Sequence, residues 1–201
     1  DLIGAGADMK DRVKALVDAK VDVIVVDSGH GHSGYIMDCV KFIKKNYKNK
    51  VVVMAGNVAT YEGAKAMMKA GADILRVGVG PGSICTTRVV TGMGVPQVTA
   101  LLEVARAVKG SKVTFVADGG IRQLGDIAKA LATGASAVML GSMLAGHTES
   151  PGDEVDVAQA EPLAHEIPRE LHGLGMIEHP LDLLVRVIRH DPAAGCLLDR
   201  K

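Results

Sequence analysis

One plan occurs three times in this chain and narrows what it can fold into. The segments KALVDAKVDVIVVDS (14–28), KAMMKAGADILRVG (65–78) and KALATGASAVMLGS (129–142) share it. Each joins an alanine-rich helical end to a short break, then to a β-branched apolar run closing on Gly, Asp or Ser. Helix followed by buried strand, repeated, is the pattern of parallel α/β units. An uninterrupted run such as VDVIVVD fits a sheet buried on both faces. The pattern predicts strands over 2–5, 22–27, 51–55, 73–78, 113–118 and 136–141. It predicts helices over 8–19, 34–47, 60–70, 98–109 and 123–133. At 201 residues the chain suits one domain or a large part of one. Hydrophobic residues make up 48% but aromatics only 2%, so the core must be aliphatic.

Five of the strands run into polar or glycine-rich segments: DSGHGHS, GNV, GVGPGSICTT, DGG and GS. In parallel α/β folds that end of the sheet carries the chemistry. The fourth connection is the enlarged one, and it holds GPGSICTT (80–87) and RVVTGMGVPQ. Insertions between strand and helix are usually working loops. Cys85 sits in this loop beside Thr86, Thr87 and Arg88. It reads either as a thiol activated by nearby charge and donors or as a small buried hydrophobe. The paired turns ADGG (117–120) and GS (141–142) read either as a phosphate cradle of backbone amides or as tight turns. Asp118 could accept from a diol or cap the following helix. His30 and His32 would share a face on a strand, but a metal pair needs a third ligand and none is evident.

Several classes are excluded. Lys and Arg total 23 and Asp and Glu total 23, a balance that argues against a nucleic-acid partner held by a basic face. Nothing resembles a signal peptide or a twenty-residue apolar span, so no membrane role is expected. The three cysteines, Cys39, Cys85 and Cys196, are widely spaced and form no disulfide or zinc pattern, which suits a reducing, cytoplasmic setting. Composition changes near Pro151, where five of the seven prolines begin and lysine is absent until Lys201. Residues 1–153 therefore read as one (β/α) domain, and 154–201 as a divergent helical tail. In that tail HPLDLLVRVIRHDP places Leu181, Leu184, Val185 and Ile188 on one helical face. HEIPR, with His165 and Glu166, lacks the second His of a zinc-helix motif.

Taken together, VGVGPGSICTTRVVTGMGVPQ (77–97), DSGHGHS (27–33), GNV (56–58), ADGGIRQLGDIAKAL (117–131) and VMLGSMLAGHTESPGD (138–153) resemble the IMP dehydrogenase and GMP reductase family. The likeness runs in the family's order to about residue 154. It implies an α/β fold of the TIM (β/α)₈ barrel type. Here that barrel is partial, because the six strands match the family's third to eighth. It also implies a purine nucleotide oxidoreductase in which Cys85 attacks C2 of the purine. Ser83, Asp118, Gly119, Gly120, Gly141 and Ser142 match positions that bind the substrate's ribose and phosphate. Asp27, Ser28, Asn57 and Gly78 match the cofactor side. The carbonyls of Gly80, Gly82 and Cys85 match a monovalent-cation site, usually potassium. Thr87 matches a hydroxyl near the purine that handles water or ammonia.

Two reactions fit the resemblance. GGIR and ESPGD lean to the dehydrogenase, which takes IMP, NAD and water to XMP and NADH. AGHTES leans to the reductase, which takes GMP and NADPH to IMP and ammonia. The resemblance implies a homo-oligomer, a tetramer in the family. The family's base-gripping loop, flap and distal glutamate are not recognisable in 154–201. A nucleotide-binding protein without turnover, or a fragment, is the alternative of another class.

Overall fold

The computed structural model describes residues 2, 3, 6, 8–48, 50–145, 147 and 149. Backbone clustering divides the chain into two compact units, Asp1–Met143 and Leu144–Lys201. The first unit carries the sheet. The expected boundary at 153 and the expected helix over 181–188 lie outside the described residues.

Six strands form one sheet: β1 (Leu2–Ile3), β2 (Val23–Val26), β3 (Val52–Val58), β4 (Ile74–Val77), β5 (Thr114–Asp118) and β6 (Ala137–Met139). They lie in the order β1-β2-β3-β4-β5-β6, and every pairing is parallel. Each new strand adds beside the last, as in a (β/α) barrel. A doubly wound sheet would reverse direction at a switch point. The crossovers are α1 (Met9–Asp18), α2 (Gly34–Tyr47), α3 (Tyr61–Ala70), a short α4 (Thr87–Thr91) with α5 (Gln97–Val108), and α6 (Leu124–Ala132).

The helices form where the sequence predicts them, for local reasons. In α2 the buried residues Ile36, Cys39, Val40 and Ile43 recur every three or four positions. The α3 helix starts where the Thr60 hydroxyl accepts from the Gly63 amide at 3.1 Å and stops at left-handed Gly71. Asp73, just before β4, accepts from Lys44 Nζ of α2 at 2.8 Å and from the Val53 amide at 2.8 Å. One carboxylate thus ties a helix to two strands.

Strand burial departs from the expectation of a sheet covered on both faces. Ile24, Val26, Val53, Ala55, Leu75 and Val77 are fully buried, and they face the helices. Alternate residues Val25, Met54, Ile74 and Arg76 are only half-buried, and Val52 and Thr114 are exposed. Among the described residues the helices cover one face, and successive side chains point to opposite faces, so burial alternates in β2 and β4, while in β5 Phe115, Val116 and Ala117 are all buried. Leu75→Ala is expected to cost about 2–5 kcal/mol in urea denaturation. Val52→Ala, on the other face, should cost about 1 kcal/mol or less. Equal losses would show that both faces are equally buried.

Candidate active site

The expected site residues lie at or beyond the C-terminal ends of the strands. Asp27 and Ser28 follow β2, Gly78 follows β4, Asp118 ends β5, and Gly119 and Gly120 follow it. Asn57 departs from expectation. GNV lies inside β3, because β3 runs on to Val58 and pairs with Val77 through a register irregularity between Gly56 and Val58. Gly80, Gly82, Ser83 and Cys85 lie in the loop after β4, and Thr87 opens α4. Gly141 and Ser142 follow β6, whose Met139 is paired with Asp118. Both are exposed, and a Cβ at Gly141 would meet nothing within 4 Å.

Hydrogen bonds join the residues expected on the cofactor side to the one expected on the ribose side. The Asn57 Nδ2 donates to the Gly78 carbonyl at 2.8 Å and to Asp118 Oδ2 at 2.7 Å. The Asn57 amide donates to the Ser28 carbonyl at 2.7 Å. With Nδ2 held by two acceptors, the amide plane is set, and the buried Asn57 Oδ1 has no partner. Gln97, the first residue of α5, donates through Nε2 to the carbonyls of Val77 at 2.8 Å and Asp118 at 3.1 Å. Gly78 must lack a side chain here, since a Cβ would stand 2.2 Å from the Asp118 carbonyl oxygen.

Asp118 does not cap the next helix. Asp126 does, accepting from the Arg122 amide at 3.1 Å and the Gln123 amide at 3.3 Å. Those two N–H groups are therefore taken.

Two residues were not singled out from sequence. Arg76 on β4 donates through Nε and Nη2 to Asp118 Oδ2 at 3.1 and 2.8 Å, and through Nη1 to Asp27 Oδ1. A signal existed in DILRVG: a charged residue within an apolar strand needs buried partners. Gln97 gives no comparable signal, because a polar residue opening a helix after a proline is ordinary.

The loop bearing Cys85 is braced at its base. Arg88 Nη2 donates to the carbonyls of Val95 at 2.6 Å and Val79 at 3.4 Å, drawing the two ends of the loop together. The loop also packs on the β5 turn, since a Cβ at Gly119 would lie 2.8 Å from Pro81 Cγ and 3.1 Å from the Gly82 amide. GPG and DGG therefore form one packed unit.

Cys85 is half-buried, with Sγ 3.3 Å from Thr87 Oγ1. Its thiol is held below the ordinary cysteine range, first by hydrogen bonding to the Thr87 side chain and then by the Thr87 backbone. The Arg88 charge adds a smaller lowering effect, and Asp118 opposes it. Of the charge or donors expected to activate the thiol, the Thr87 donors lead, and the Arg88 guanidinium is turned to carbonyls. Burial pushes the Cys39 thiol up to about 11, so that cysteine is inert. Cys196 lies outside the described residues.

His30 and His32 are exposed, with ring centroids 6.4 Å apart. Among the described residues no three His, Cys, Asp or Glu side chains gather as a metal site would require. Likewise, none of the described helices is long and apolar enough to cross a membrane.

Fold and site define a class: a parallel (β/α)-barrel protein with a lowered-pKa thiol among its strand-end loops. The model of the IMP dehydrogenase / GMP reductase domain matches residues 2–163. The inosine-5'-monophosphate dehydrogenase of Aquifex aeolicus is 53% identical over 179 residues, 89% of this chain and 36% of that protein. That of Escherichia coli strain K12 is 54% identical over 151 residues, 75% of this chain and 31% of that protein. Among solved structures, a variant of the GMP reductase of Trypanosoma brucei in complex with guanosine 5'-monophosphate matches with a TM-score of 0.74 at 47% identity. The match covers 77% of this chain and 32% of that one. The chain belongs to the IMP dehydrogenase / GMP reductase family, whose named members are oxidoreductases. Its fold is the expected partial (β/α)₈-type barrel. It spans about a third of the length of the relatives it matches.

Thiol alkylation followed by peptide mapping checks the site. Iodoacetamide should modify Cys85 in the native protein and spare Cys39. A lowered pKa means that the thiolate persists below the usual thiol range and is lost as pH falls through the lowered value. Thr87→Val should therefore move the labelling midpoint up and slow labelling near neutral pH. An unchanged profile would remove Thr87 from thiol activation.

Proposed function

We propose that this chain carries the nucleophile-bearing part of an IMP dehydrogenase, taking IMP, NAD and water to XMP, NADH and a proton. The observation that carries the reading is the Cys85–Thr87 pair, lowered in pKa and mounted on a loop that packs against the Asp118–Gly120 turn. An electron-poor purine carbon calls for a soft nucleophile. A dianionic phosphate calls for amides on rigid turns.

In this reading Asp118 receives the ribose diol. Its Oδ2 takes the bonds from Arg76 and Asn57, which leaves Oδ1 for the ligand. Ser83, Gly119, Gly120, Gly141 and Ser142 surround the phosphate. Thr87 holds the Cys85 sulfur as thiolate, and the sulfur adds to C2 of the purine. The C2 hydrogen then departs with its electron pair, leaving a thioimidate on Cys85. Water adds at C2, the C2–S bond breaks, and the oxygen remains as the 2-oxo group. In this reading Thr87 also hydrogen-bonds that water.

Asp27, Ser28, Asn57 and Gly78 form the cofactor side. The orphaned Asn57 Oδ1 fits a carboxamide N–H donor, as a nicotinamide has. NAD, when bound, supplies the hydride acceptor. The carbonyls of Gly80, Gly82 and Cys85 are uncharged hard donors of the kind a potassium ion takes. The Gly82 carbonyl already accepts from the Cys85 amide at 3.1 Å and keeps a second lone pair. The family's tetramer is the assembly we propose.

GMP reduction with NADPH is the second reading. It is favoured by the likeness to the Trypanosoma brucei GMP reductase at 47% identity.

Electrophilic 6-chloro-IMP should label Cys85, IMP or GMP should protect it, and Cys85→Ala should remove the label. Equal labelling of Cys85→Ala would end the assignment. With potassium present, IMP plus NAD should raise reduced-nicotinamide absorbance. If GMP plus NADPH lowers it instead, the reductase reading replaces the dehydrogenase. Nucleotide binding with neither change would mean a binding protein without turnover.

A further inference from the structure

The Arg76 side chain serves two carboxylates on strands that are not neighbours. Asp118 ends β5, which pairs with β4, but Asp27 follows β2, and β3 lies between β2 and β4. The reach is open because Gly56 is the β3 residue paired with Arg76. A Cβ at Gly56 would stand 2.6 Å from Arg76 Cβ, so any other residue there would collide with the arginine where its side chain leaves the backbone. On β2 and β3, Asp27 and Gly56 follow the Val26↔Ala55 pair. Asp27, Gly56 and Arg76 thus lie in line across the sheet; on the other side Arg76 is paired with Val116, and Asp118 lies two residues further along β5.

A single exposed ion pair would carry little meaning. This cluster differs because its arginine is only 12% exposed and its carboxylates 32% and 17%. A guanidinium is planar and presents its donors in a fixed fork, so turning it towards one carboxylate turns it away from the other. Asn57 adds a third bond to Asp118 and so ties β3 to the same group.

We propose that Arg76 is a positioning residue that orients Asp27 and Asp118 together, so that a change at either carboxylate is felt at the other. It rests on the proposed assignment of Asp27 to the cofactor side and Asp118 to the nucleotide. On that assignment the clasp links the two ligands: filling one side orders the carboxylate that serves the other. Such linkage is reciprocal by thermodynamic necessity.

Two measurements on the full chain test it. The first uses no ligand: urea midpoints of Asp27→Asn, Asp118→Asn and the double variant, each with Arg76 and with Arg76→Gln. With Arg76 present, either single variant leaves the guanidinium one partner and the double leaves it unpaired. The double variant should therefore lose more than the two singles combined. In the Arg76→Gln background the losses should add. Additive losses with Arg76 present would overturn the proposal.

The second measures IMP affinity by calorimetry. Asp27→Asn should shift it by about fivefold or more with Arg76 present. The shift should fall below about twofold with Arg76→Gln or Arg76→Lys, since lysine keeps the charge but not the fork. Equal shifts in all three backgrounds would mean simple field effects and would overturn it. If neither IMP nor GMP binds the parent chain, the nucleotide reading falls, and the urea series alone decides whether the clasp exists.

Discussion

A strand that runs parallel to its neighbour can be reached only by a crossover, and the rest of this structure depends on that constraint. Because each crossover is a helix packed on one side of the sheet, alternate strand residues are pressed into an aliphatic layer while their neighbours face the other way. Ile24, Val26, Val53, Leu75 and Val77 supply that layer, and α2, α3 and α5 cover it with small and branched residues such as Val40, Ala64 and Val104. The same constraint sends the strands in one direction. Their C-terminal ends therefore collect the loops, and the chemistry-bearing side chains gather there without any long-range instruction in the sequence.

Those loops are held by two kinds of interaction. Backbone proximity does one part: Gly78 and Gly119 allow neighbouring turns to touch, so GPG and DGG behave as a single unit. Side-chain bridges do the other: Gln97 spans the ends of β4 and β5, Arg88 closes the base of the Cys85 loop, and Arg76 reaches from β4 to both Asp27 and Asp118. The thiol itself is tuned locally, by a hydroxyl and an amide two residues on. A stiff frame with a locally tuned thiol suits the reaction we propose, in which a purine must be held still while its C2 changes hybridisation.

Much of the fold was legible because period and punctuation agree. The α2 helix runs over Gly34–Tyr47 as its pattern predicts, and the other long helices fall within a residue or so at each end. Two elements escaped. The α4 helix is a five-residue turn inside an irregular loop, too short to show a period. The GNV segment reads as a loop because glycine and asparagine disfavour strands, yet pairing with β4 carries β3 through it. The motif residues of the site were legible as types and as positions at strand ends. Their partners were not, because Arg76 and Gln97 act across strands and share no local signal with the residues they hold.

By itself the sequence determined the parallel β/α plan, the aliphatic core and the presence of a lone cysteine on an enlarged loop. These follow from residue order, since periodicity and turn chemistry act over a few positions. Only the tertiary structure decided that the helix-facing residues of β2, β3 and β4 are fully buried while residues such as Val25 and Ile74 are not, that Asp118 is clasped rather than capping, and that Thr87 rather than Arg88 leads in tuning Cys85. Each of these depends on which side chains meet across strands or across a folded loop, and such distances are set by packing, not by spacing along the chain.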